Sequence, residues 1–338
     1  MFAGIPRDSP LLQRRVPPAP NAVDAATCSL HFICSKVFLI SFLQGSQHEL
    51  ASHFLKHYIE SVGVLPSHIR ALIHSPGGDD AHGLGNTLQH FVQAGVPNAS
   101  LQLFSEGFAE SSKLKAINNV IRALPTDAWV INADIDEFFT YPCNLRQQIQ
   151  TDRHEVFCGE MRDRLSASGD IAELHPAREG SPSIGAQFPR YCYVRQHWRN
   201  AASSNAAISK VVLMRVARAD GSRRAFVDPH HVTGYRRYGM RCRAIGYFSH
   251  FTLTMQAMRA TREVKLAGHC DVFCDRQHRG MYRAIAAFMA SASKRGASTH
   301  PWCNPPPRAA ENDVTTFTNS LLDYCHVPLT VLGDVRAV

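Results

Sequence analysis

The sequence alternates short apolar runs of strand length with segments whose apolar residues recur at helical spacing. Each run is rich in β-branched or aromatic residues and ends in polar or turn-forming residues. The predicted strands cover residues 37–43, 69–74, 100–104 and 128–133, and the predicted helices cover residues 50–62, 84–94 and 114–124. Because strands and helices take turns along the chain, we predict an α/β fold with a mostly parallel mixed sheet flanked by helices.

The 338 residues divide into three parts by composition. Residues 1–27 are rich in proline and almost free of acidic residues, so we predict a flexible leader, with a transit peptide as the open alternative. Residues 28–268 contain the alternating pattern and form the predicted domain. Residues 269–338 form a predicted C-terminal extension, with a helix over 281–294 and a loop over 301–307.

The most apolar stretch does not predict a membrane span. It covers residues 30–43 and is interrupted by Lys36, whereas a bilayer requires about 20 apolar residues. We therefore predict no transmembrane segment and leave peripheral association with a membrane open. The cytoplasm and the Golgi or secretory pathway both remain open as compartments.

The formal net charge of +8 favours anionic partners, which include sugar nucleotides, anionic membranes and nucleic acids. The basic residues occur as pairs rather than runs, and no recognition motif accompanies them, so we predict no nucleic-acid partner. The sequence has neither G-x-G-x-x-G after its first strand nor G-x-x-x-x-G-K-[ST]. Classical dinucleotide and P-loop sites are therefore not expected.

The ten cysteines are scattered along the chain, and we predict that they are reduced. One close group, Cys270 and Cys274 with His269 and His278, has ligand types that suit zinc. A single C-x3-C without a second cysteine pair is a weak signal, so no zinc site is predicted.

An acidic motif follows the fourth predicted strand directly. Asp134, Asp136 and Glu137 come after the apolar residues 128–133. Ligands of open α/β sheets bind at the carboxyl ends of the strands. Hard divalent cations such as Mg²⁺ and Mn²⁺ bind there through one or two carboxylates together with substrate phosphates. The motif therefore indicates a metal and phosphate site, with a solvated acidic turn as the alternative.

The surroundings of this motif resemble those of a known enzyme group. Residues 129–139, WVINADIDEFF, are similar to the "W-x-x-x-x-D-x-D-E-F" segment of GT-A glycosyltransferases of the family 2-like and family 92-like group. Weaker similarities follow in the same order over residues 37–268. They include His48-Glu49-Leu50, His57-Tyr58, Gly63-Val64, Lys113, residues 159–164, Gly169-Asp170, residues 187–189, residues 210–213, His230-His231 and His250-Phe251.

The resemblance implies a GT-A fold and a metal-dependent, inverting transfer of a sugar. The donor would be a nucleotide-sugar, and the acceptor a hydroxyl of a glycan or glycoconjugate. Asp134 and Asp136 are expected to hold Mn²⁺ or Mg²⁺, which neutralises charge on the departing diphosphate. Asp134, Glu137 and Lys113 are expected to contact the nucleotide.

Five further residues receive expected roles. Inverting transfer requires a carboxylate that takes the acceptor proton, and Asp163 is the candidate, with Glu160 in reserve. His250 ends an apolar run and is expected to be a metal ligand, since GT-A enzymes often supply a late histidine. Arg259 and Arg262 lie on a predicted helix and could hold diphosphate oxygens, although a solvated basic face is the alternative. His230 and His231 are the alternative candidates for the metal-ligand role expected of His250.

Two other classes of function remain open. A nucleotidyltransferase or metal-dependent phosphohydrolase also uses acidic strand ends, but it should show further acidic or histidine ligands nearer the N-terminus, which we do not find. A catalytically inactive carbohydrate-binding relative is the second alternative. It stays open because residues 250–253 read HFTL where the glycosyltransferase group usually has "H-F-K-W".

Overall fold

The computed structural model describes most of the predicted domain. It covers residues 36–75, 81–105, 109–141, 154–169, 171–177, 180–192, 209–233, 243–254 and 303–304, with single residues at 145 and 149. The predicted leader, the Cys270 group, Arg259, Arg262 and the helix predicted over 281–294 lie outside these residues.

Twelve strands and four α-helices make up the described part of the chain. A π-helical turn, His57–Ser61, follows the first helix directly. No helix among the described residues is long and apolar enough to cross a bilayer. The helices are α1 (His48–Lys56), α2 (Ala81–Gln93), α3 (Glu110–Ala123) and α4 (Ile184–Gln187). The strands are β1 (Val37–Gln44), β2 (Ile69–His74), β3 (Leu101–Phe104), β4 (Trp129–Asn132), β5 (Glu137–Phe138), β6 (Val156–Leu165), β7 (Arg190–Cys192), β8 (Ser209–Arg215), β9 (Phe226–Asp228), β10 (His231–Val232), β11 (Arg243–His250) and β12 (Cys303–Asn304).

Ten of these strands form one mixed sheet, with the order β12-β7-β6-β8-β4-β1-β2-β3 along its main path. The half that contains β3, β2, β1 and β4 is parallel. From β4 through β8, β6, β7 and β12 the neighbours are antiparallel. Strand β11 lies parallel to β6 and antiparallel to β5. The predicted α/β class with a mixed sheet is thus confirmed, and strand β4 lies near the middle of the sheet.

Helices cover both faces of the parallel half. Every residue of β1 is buried, and its side chains alternate between two apolar clusters. Leu39 and Leu43 join the cluster that contains α1 residues Leu50 and Phe54. Ile40 joins the opposite cluster, which contains the buried face of α3. A strand buried on both faces explains why β1 is a continuous apolar run rather than an alternating one.

The observed elements match the predicted ones except near the C-terminus. The four predicted strands correspond to β1–β4, and the three predicted helices to α1–α3, with ends that shift by a few residues. The loop predicted over 301–307 is wrong in part, because Cys303–Asn304 pairs with β7 at the edge of the sheet. A two-residue strand has no periodicity of its own, and its formation depends on the edge that it meets.

The prediction of reduced cysteines is also wrong for the two whose side chains the structure describes. Cys158 in β6 and Cys192 in β7 are both disulfide-bonded. The backbone register of the antiparallel pair β7–β12 places Cys303 opposite Cys192. Cysteines far apart in sequence reveal such pairings only after the strands are in register, so spacing alone could not predict them.

Candidate functional site

The acidic motif forms a tight turn at the carboxyl end of β4. The Ala133 amide donates to the Ile40 carbonyl at 3.1 Å and so continues the pairing with β1. The Glu137 amide then donates to the Asp134 carbonyl at 2.9 Å, and the Asp134 amide donates to the Glu137 carboxylate at 2.9 Å. The turn is therefore closed by both backbone and side chain. It presents Asp134 and Asp136 at the strand end where the sequence predicts a site.

Two buried lysines hold the first part of this turn. Lys113 of α3 donates to Asp134 Oδ1 at 2.8 Å. Lys210 of β8 donates to Glu137 Oε2 at 2.5 Å, and its Nζ lies 3.8 Å from Asp134 Oδ2. The Lys210 and Glu137 side chains are only 1% and 3% exposed. Buried charges need such partners, so this network fixes the turn as well as its charge.

The pKa shifts of these groups follow from burial and pairing. Burial alone would lower the pKa of Lys113, but Asp134 and Glu110 together raise it above its ordinary value. Burial raises the pKa of Glu137, and the nearby Lys210 ammonium opposes that shift. Lys113 therefore keeps its proton, and it supplies positive charge at a place that water does not reach.

Strand β11 brings His250 to the second part of the turn. The Phe251 amide donates to the Asp136 carbonyl at 2.7 Å, which fixes the end of β11 against the motif. His250 Nε2 then lies 3.4 Å from Asp136 Oδ2. On the other side of the ring, Nδ1 lies 2.7 Å from Asp163 Oδ1 in β6. One imidazole thus connects the Asp136 carboxylate of the turn with the Asp163 carboxylate of β6.

Strand β11, which carries His250, packs closely against β6. A Cβ atom on Gly159 of β6 would lie 3.0 Å from the Phe248 ring of β11 and 3.1 Å from Val212 of β8. These distances are tighter than ordinary carbon contacts, so any larger residue at position 159 would require Phe248 or Val212 to shift by a few tenths of an ångström. Gly159, the first residue of the weakly similar segment 159–164, therefore has a packing role.

A second layer of contacts supports the acidic turn from the π-helical turn that follows α1. Tyr58 donates its hydroxyl hydrogen to the Glu137 carbonyl at 3.0 Å and accepts from the Phe139 amide at 3.2 Å. His57 Nε2 lies 2.8 Å from the Phe139 carbonyl. Residues 57 and 58, which are among the weaker sequence similarities, thus stabilise the backbone at the end of the acidic motif.

We expect the buried His57 ring to make folding stability depend on pH. Burial lowers the pKa of His57 from 6.5 to about 4. Below pH 6.5 the unfolded chain gains a proton that the folded chain accepts only near its lower pKa, so stability is lost as the pH falls through this window. The ring keeps some exposed surface, which reduces the effect, and we expect a loss of about 2 kcal/mol between pH 7 and pH 4.

Denaturant unfolding at several pH values measures this loss. His57→Gln keeps a donor for the Phe139 carbonyl but does not titrate, so it is the matched control. The free energy of unfolding should fall less steeply with acid in His57→Gln than in the wild type. Parallel curves for the two proteins would contradict the prediction.

The structure brings together five of the sequence-predicted site residues and leaves others outside its description. The five are Lys113, Asp134, Asp136, Asp163 and His250. Glu137 adjoins them but is turned toward Lys210. Glu160 lies on β6 opposite Tyr247 of β11 and Ser209 of β8, and its side chain is not described.

His231, the rival to His250, makes its hydrogen bonds elsewhere. Its Nδ1 lies 2.8 Å from Asp228 Oδ2, and its amide donates to Asp228 Oδ1 at 3.0 Å. Both residues belong to the two-stranded β9–β10 sheet. The pair is therefore a local histidine–carboxylate contact between residues three positions apart in one hairpin.

Lys210 is the site residue that sequence reasoning did not assign. It appeared there only as the first residue of the weakly similar segment 210–213, KVVL. A lysine inside a strand that is otherwise apolar is almost never fully buried unless it is paired. That position was a signal for a buried carboxylate partner, although the sequence did not indicate which one.

Among the described residues, no group of three or more histidine, cysteine, aspartate or glutamate side chains is arranged to hold a metal ion. Two side chains, Asp136 and His250, nevertheless approach each other closely enough to share one cation. Ligands at about 2.1 Å from a cation lie about 3 Å apart when they are adjacent in an octahedron. The observed 3.4 Å separation is close to that spacing.

Comparison with known proteins adds little to this geometry. No protein-family model matches the chain, and no curated protein matches it. The chain is similar to the crystal structure of 4-diphosphocytidyl-2C-methyl-D-erythritol synthase at 13% identity and a TM-score of 0.22, over 40% of this chain and 66% of that chain. The match thus spans just under two thirds of that structure. A likeness this weak carries no argument about activity.

Proposed function

We propose that the chain is a metal-dependent glycosyltransferase with a GT-A fold. It would move a sugar from a nucleotide-sugar to a hydroxyl of a glycan or glycoconjugate. The observation that supports this proposal most is the 3.4 Å approach of Asp136 Oδ2 and His250 Nε2 at the carboxyl end of a central strand. Sequence similarity around residues 129–139 suggests the same assignment independently of that contact.

The charge of the site favours a divalent cation. Among the described residues that these contacts connect, four carboxylates meet two ammonium groups, so negative charges exceed positive ones by two while His250 is neutral. The carboxylates belong to Asp134, Asp136, Glu137 and Asp163, and the ammonium groups to Lys113 and Lys210. One Mn²⁺ or Mg²⁺ would balance this excess, with phosphates and water completing its coordination. When bound, the ion neutralises charge on the departing diphosphate.

The two aspartates of the motif would have different roles. Asp136 and His250 are the proposed direct ligands, because their side-chain atoms face each other. Asp134 is already paired with Lys113, yet its side chain remains 27% exposed. It can therefore contact the donor or a metal-bound water while the lysine holds it in place. Lys113 would act on the nucleotide through Asp134.

The acceptor hydroxyl oxygen attacks the anomeric carbon as the bond from that carbon to the diphosphate oxygen breaks. The hydroxyl proton passes to a carboxylate base. Asp163 and Glu160 are the two candidates for this base that the sequence indicates. Arg259 and Arg262 remain candidates for diphosphate contacts, although they lie outside the described residues.

The disulfide-bonded cysteines favour the secretory alternative among the proposed compartments. Disulfides persist in oxidising environments and are rare where glutathione keeps thiols reduced. Cys158 and Cys192 are both disulfide-bonded and lie in β6 and β7, next to the site. A glycan or glycoconjugate acceptor would also be met in the secretory pathway.

Binding of a nucleoside diphosphate in the presence of Mn²⁺ tests the proposed function. We expect calorimetry on the full chain to show that one member of a panel of nucleoside diphosphates binds with Mn²⁺ and binds far more weakly without it. The corresponding nucleotide-sugar should then be hydrolysed slowly when acceptor is absent.

The other functions predict different results. A glycan-binding relative should bind sugars without either Mn²⁺ or nucleotide. A nucleotidyltransferase should require a nucleoside triphosphate and release pyrophosphate. No binding of any nucleoside diphosphate with Mn²⁺ would contradict the proposed glycosyltransferase activity.

A further inference from the structure

We infer that Asp163 is a positioning residue that orients His250 toward Asp136, rather than the base that deprotonates the acceptor. This inference rests on the proposed function, because it concerns how the chain would present a ligand to the cation. It changes the role of the residue that sequence reasoning placed at the centre of the chemistry.

The backbone places the two residues side by side. Strands β6 and β11 are parallel, and their register pairs Asp163 with His250. Asp163 also pairs with Cys192 of β7 on the other side of β6. Asp163 thus lies on a strand with a neighbour on each side, and not on a loop that could move toward a substrate.

The contact also determines which nitrogen of His250 can bind a cation. The carboxylate accepts a hydrogen bond, so Nδ1 carries the hydrogen in the 2.7 Å contact with Asp163 Oδ1. Nε2 of a neutral ring then has its lone pair directed toward Asp136, 3.4 Å away. Histidines that bind metals usually donate their other ring hydrogen to such a carboxylate, which fixes the tautomer and the ring direction.

The same geometry argues against direct proton transfer from an acceptor to Asp163. A general base must come within about 3 Å of the hydroxyl that it deprotonates. The Asp163 side chain is 3% exposed, and its Oδ1 is already engaged by His250. An acceptor would have to displace the ring that the site needs as a ligand.

Mn²⁺ binding without acceptor separates the two roles. We expect Asp163→Ala to raise the Mn²⁺ concentration for half-saturation, at a fixed nucleoside diphosphate concentration, by about 10- to 100-fold. A base acts only on the acceptor, so the base role predicts no change in this measurement. Unchanged Mn²⁺ binding in Asp163→Ala would overturn the inference.

A double-mutant cycle tests whether Asp163 acts through His250. If it does, Asp163→Ala should weaken Mn²⁺ binding no further in a His250→Ala background. Full additivity of the two losses would overturn the inference. Asp228→Ala is the matched control, because it removes an equivalent carboxylate from His231 in the β9–β10 sheet, and it should leave Mn²⁺ binding unchanged.

A smaller change covers the case in which Asp163→Ala does not fold. Asp163→Asn keeps the size of the side chain, and we expect Mn²⁺ binding between that of the wild type and that of His250→Ala. Wild-type binding in Asp163→Asn would then overturn the inference. If the wild-type protein itself binds no Mn²⁺ with any nucleoside diphosphate, the proposed function fails. If the wild-type protein binds Mn²⁺ and the Asp163 variants bind it equally well, only the inference about Asp163 fails.

Discussion

Asp136→Asn should reduce sugar transfer by about a thousandfold or more, which corresponds to about 4 kcal/mol of transition-state stabilisation. An amide oxygen has nearly the shape of the carboxylate oxygen but lacks its charge, so it is a poor ligand for a hard cation. The Asp136 side chain lies at the edge of the site, 16% exposed. The substitution should therefore change the melting temperature by no more than a few degrees. Transfer or donor hydrolysis with saturating Mn²⁺ measures the loss.

The matched control for Asp136→Asn is Asp127→Asn. Asp127 is an exposed carboxylate that pairs with Lys36 near the start of β4, at the opposite end of the same strand. The control should retain wild-type turnover, because removal of an exposed ion pair costs about 1 kcal/mol or less. Near wild-type turnover in Asp136→Asn would contradict the proposed metal site.

Local patterns were sufficient to predict the parallel half of the sheet. The run 37–43 is apolar at nearly every position, and the structure buries β1 on both faces. The helical spacing of Leu50 and Phe54 likewise places both residues in one core cluster. These signals come from residues close together in the sequence, so they do not depend on how the rest of the chain folds.

The antiparallel half depended on contacts that local patterns do not contain. Strand β8 pairs with both β4 and β6, and no feature of its sequence selects these partners. Strand β12 consists of two residues and forms against β7. The disulfides of Cys158 and Cys192 depend on the same long-range register. Pairing over long sequence separations is decided by the assembled sheet.

In the candidate site, too, local patterns predicted some residues, whereas the contacts between distant residues could not be predicted. Asp134 and Asp136 could be located because a strand end presents its polar residues at the ligand-binding edge of a parallel sheet. The Lys210–Glu137 and His250–Asp163 contacts join residues that are 73 and 87 positions apart. Sequence reasoning identified three of these four residues as polar candidates. It could not tell which of them would meet.

Lys210→Met should destabilise the protein by about 3–5 kcal/mol at pH 7, because it leaves the buried Glu137 carboxylate without its ammonium partner. Methionine has a similar length and shape, so little of this cost should come from packing. Glu137 and Lys210 are among the most buried charged groups described, at 3% and 1% exposure. Denaturant unfolding at pH 7 measures the change in free energy.

The pH dependence of this loss identifies its cause. Burial already raises the pKa of Glu137, and loss of the ammonium group should raise it further. The folded variant then binds a proton more readily than the unfolded chain, so its stability increases as the pH falls toward the raised pKa. The gap between Lys210→Met and the wild type should therefore narrow between pH 7 and pH 5. A gap that stays constant would indicate a packing defect.

Two companion variants separate the charge effect from the loss of the side chain. Glu137→Gln combined with Lys210→Met removes both charges and leaves an amide oxygen to accept from the Asp134 amide. We expect this pair to be more stable than Lys210→Met alone, since an unpaired buried charge costs more than a missing pair. Lys113→Met should cost less than Lys210→Met, because its partner Asp134 is 27% exposed and can be hydrated. Equal costs for the two lysine variants, or a double variant no more stable than the single one, would contradict the view that Lys210 stabilises the acidic turn by charge.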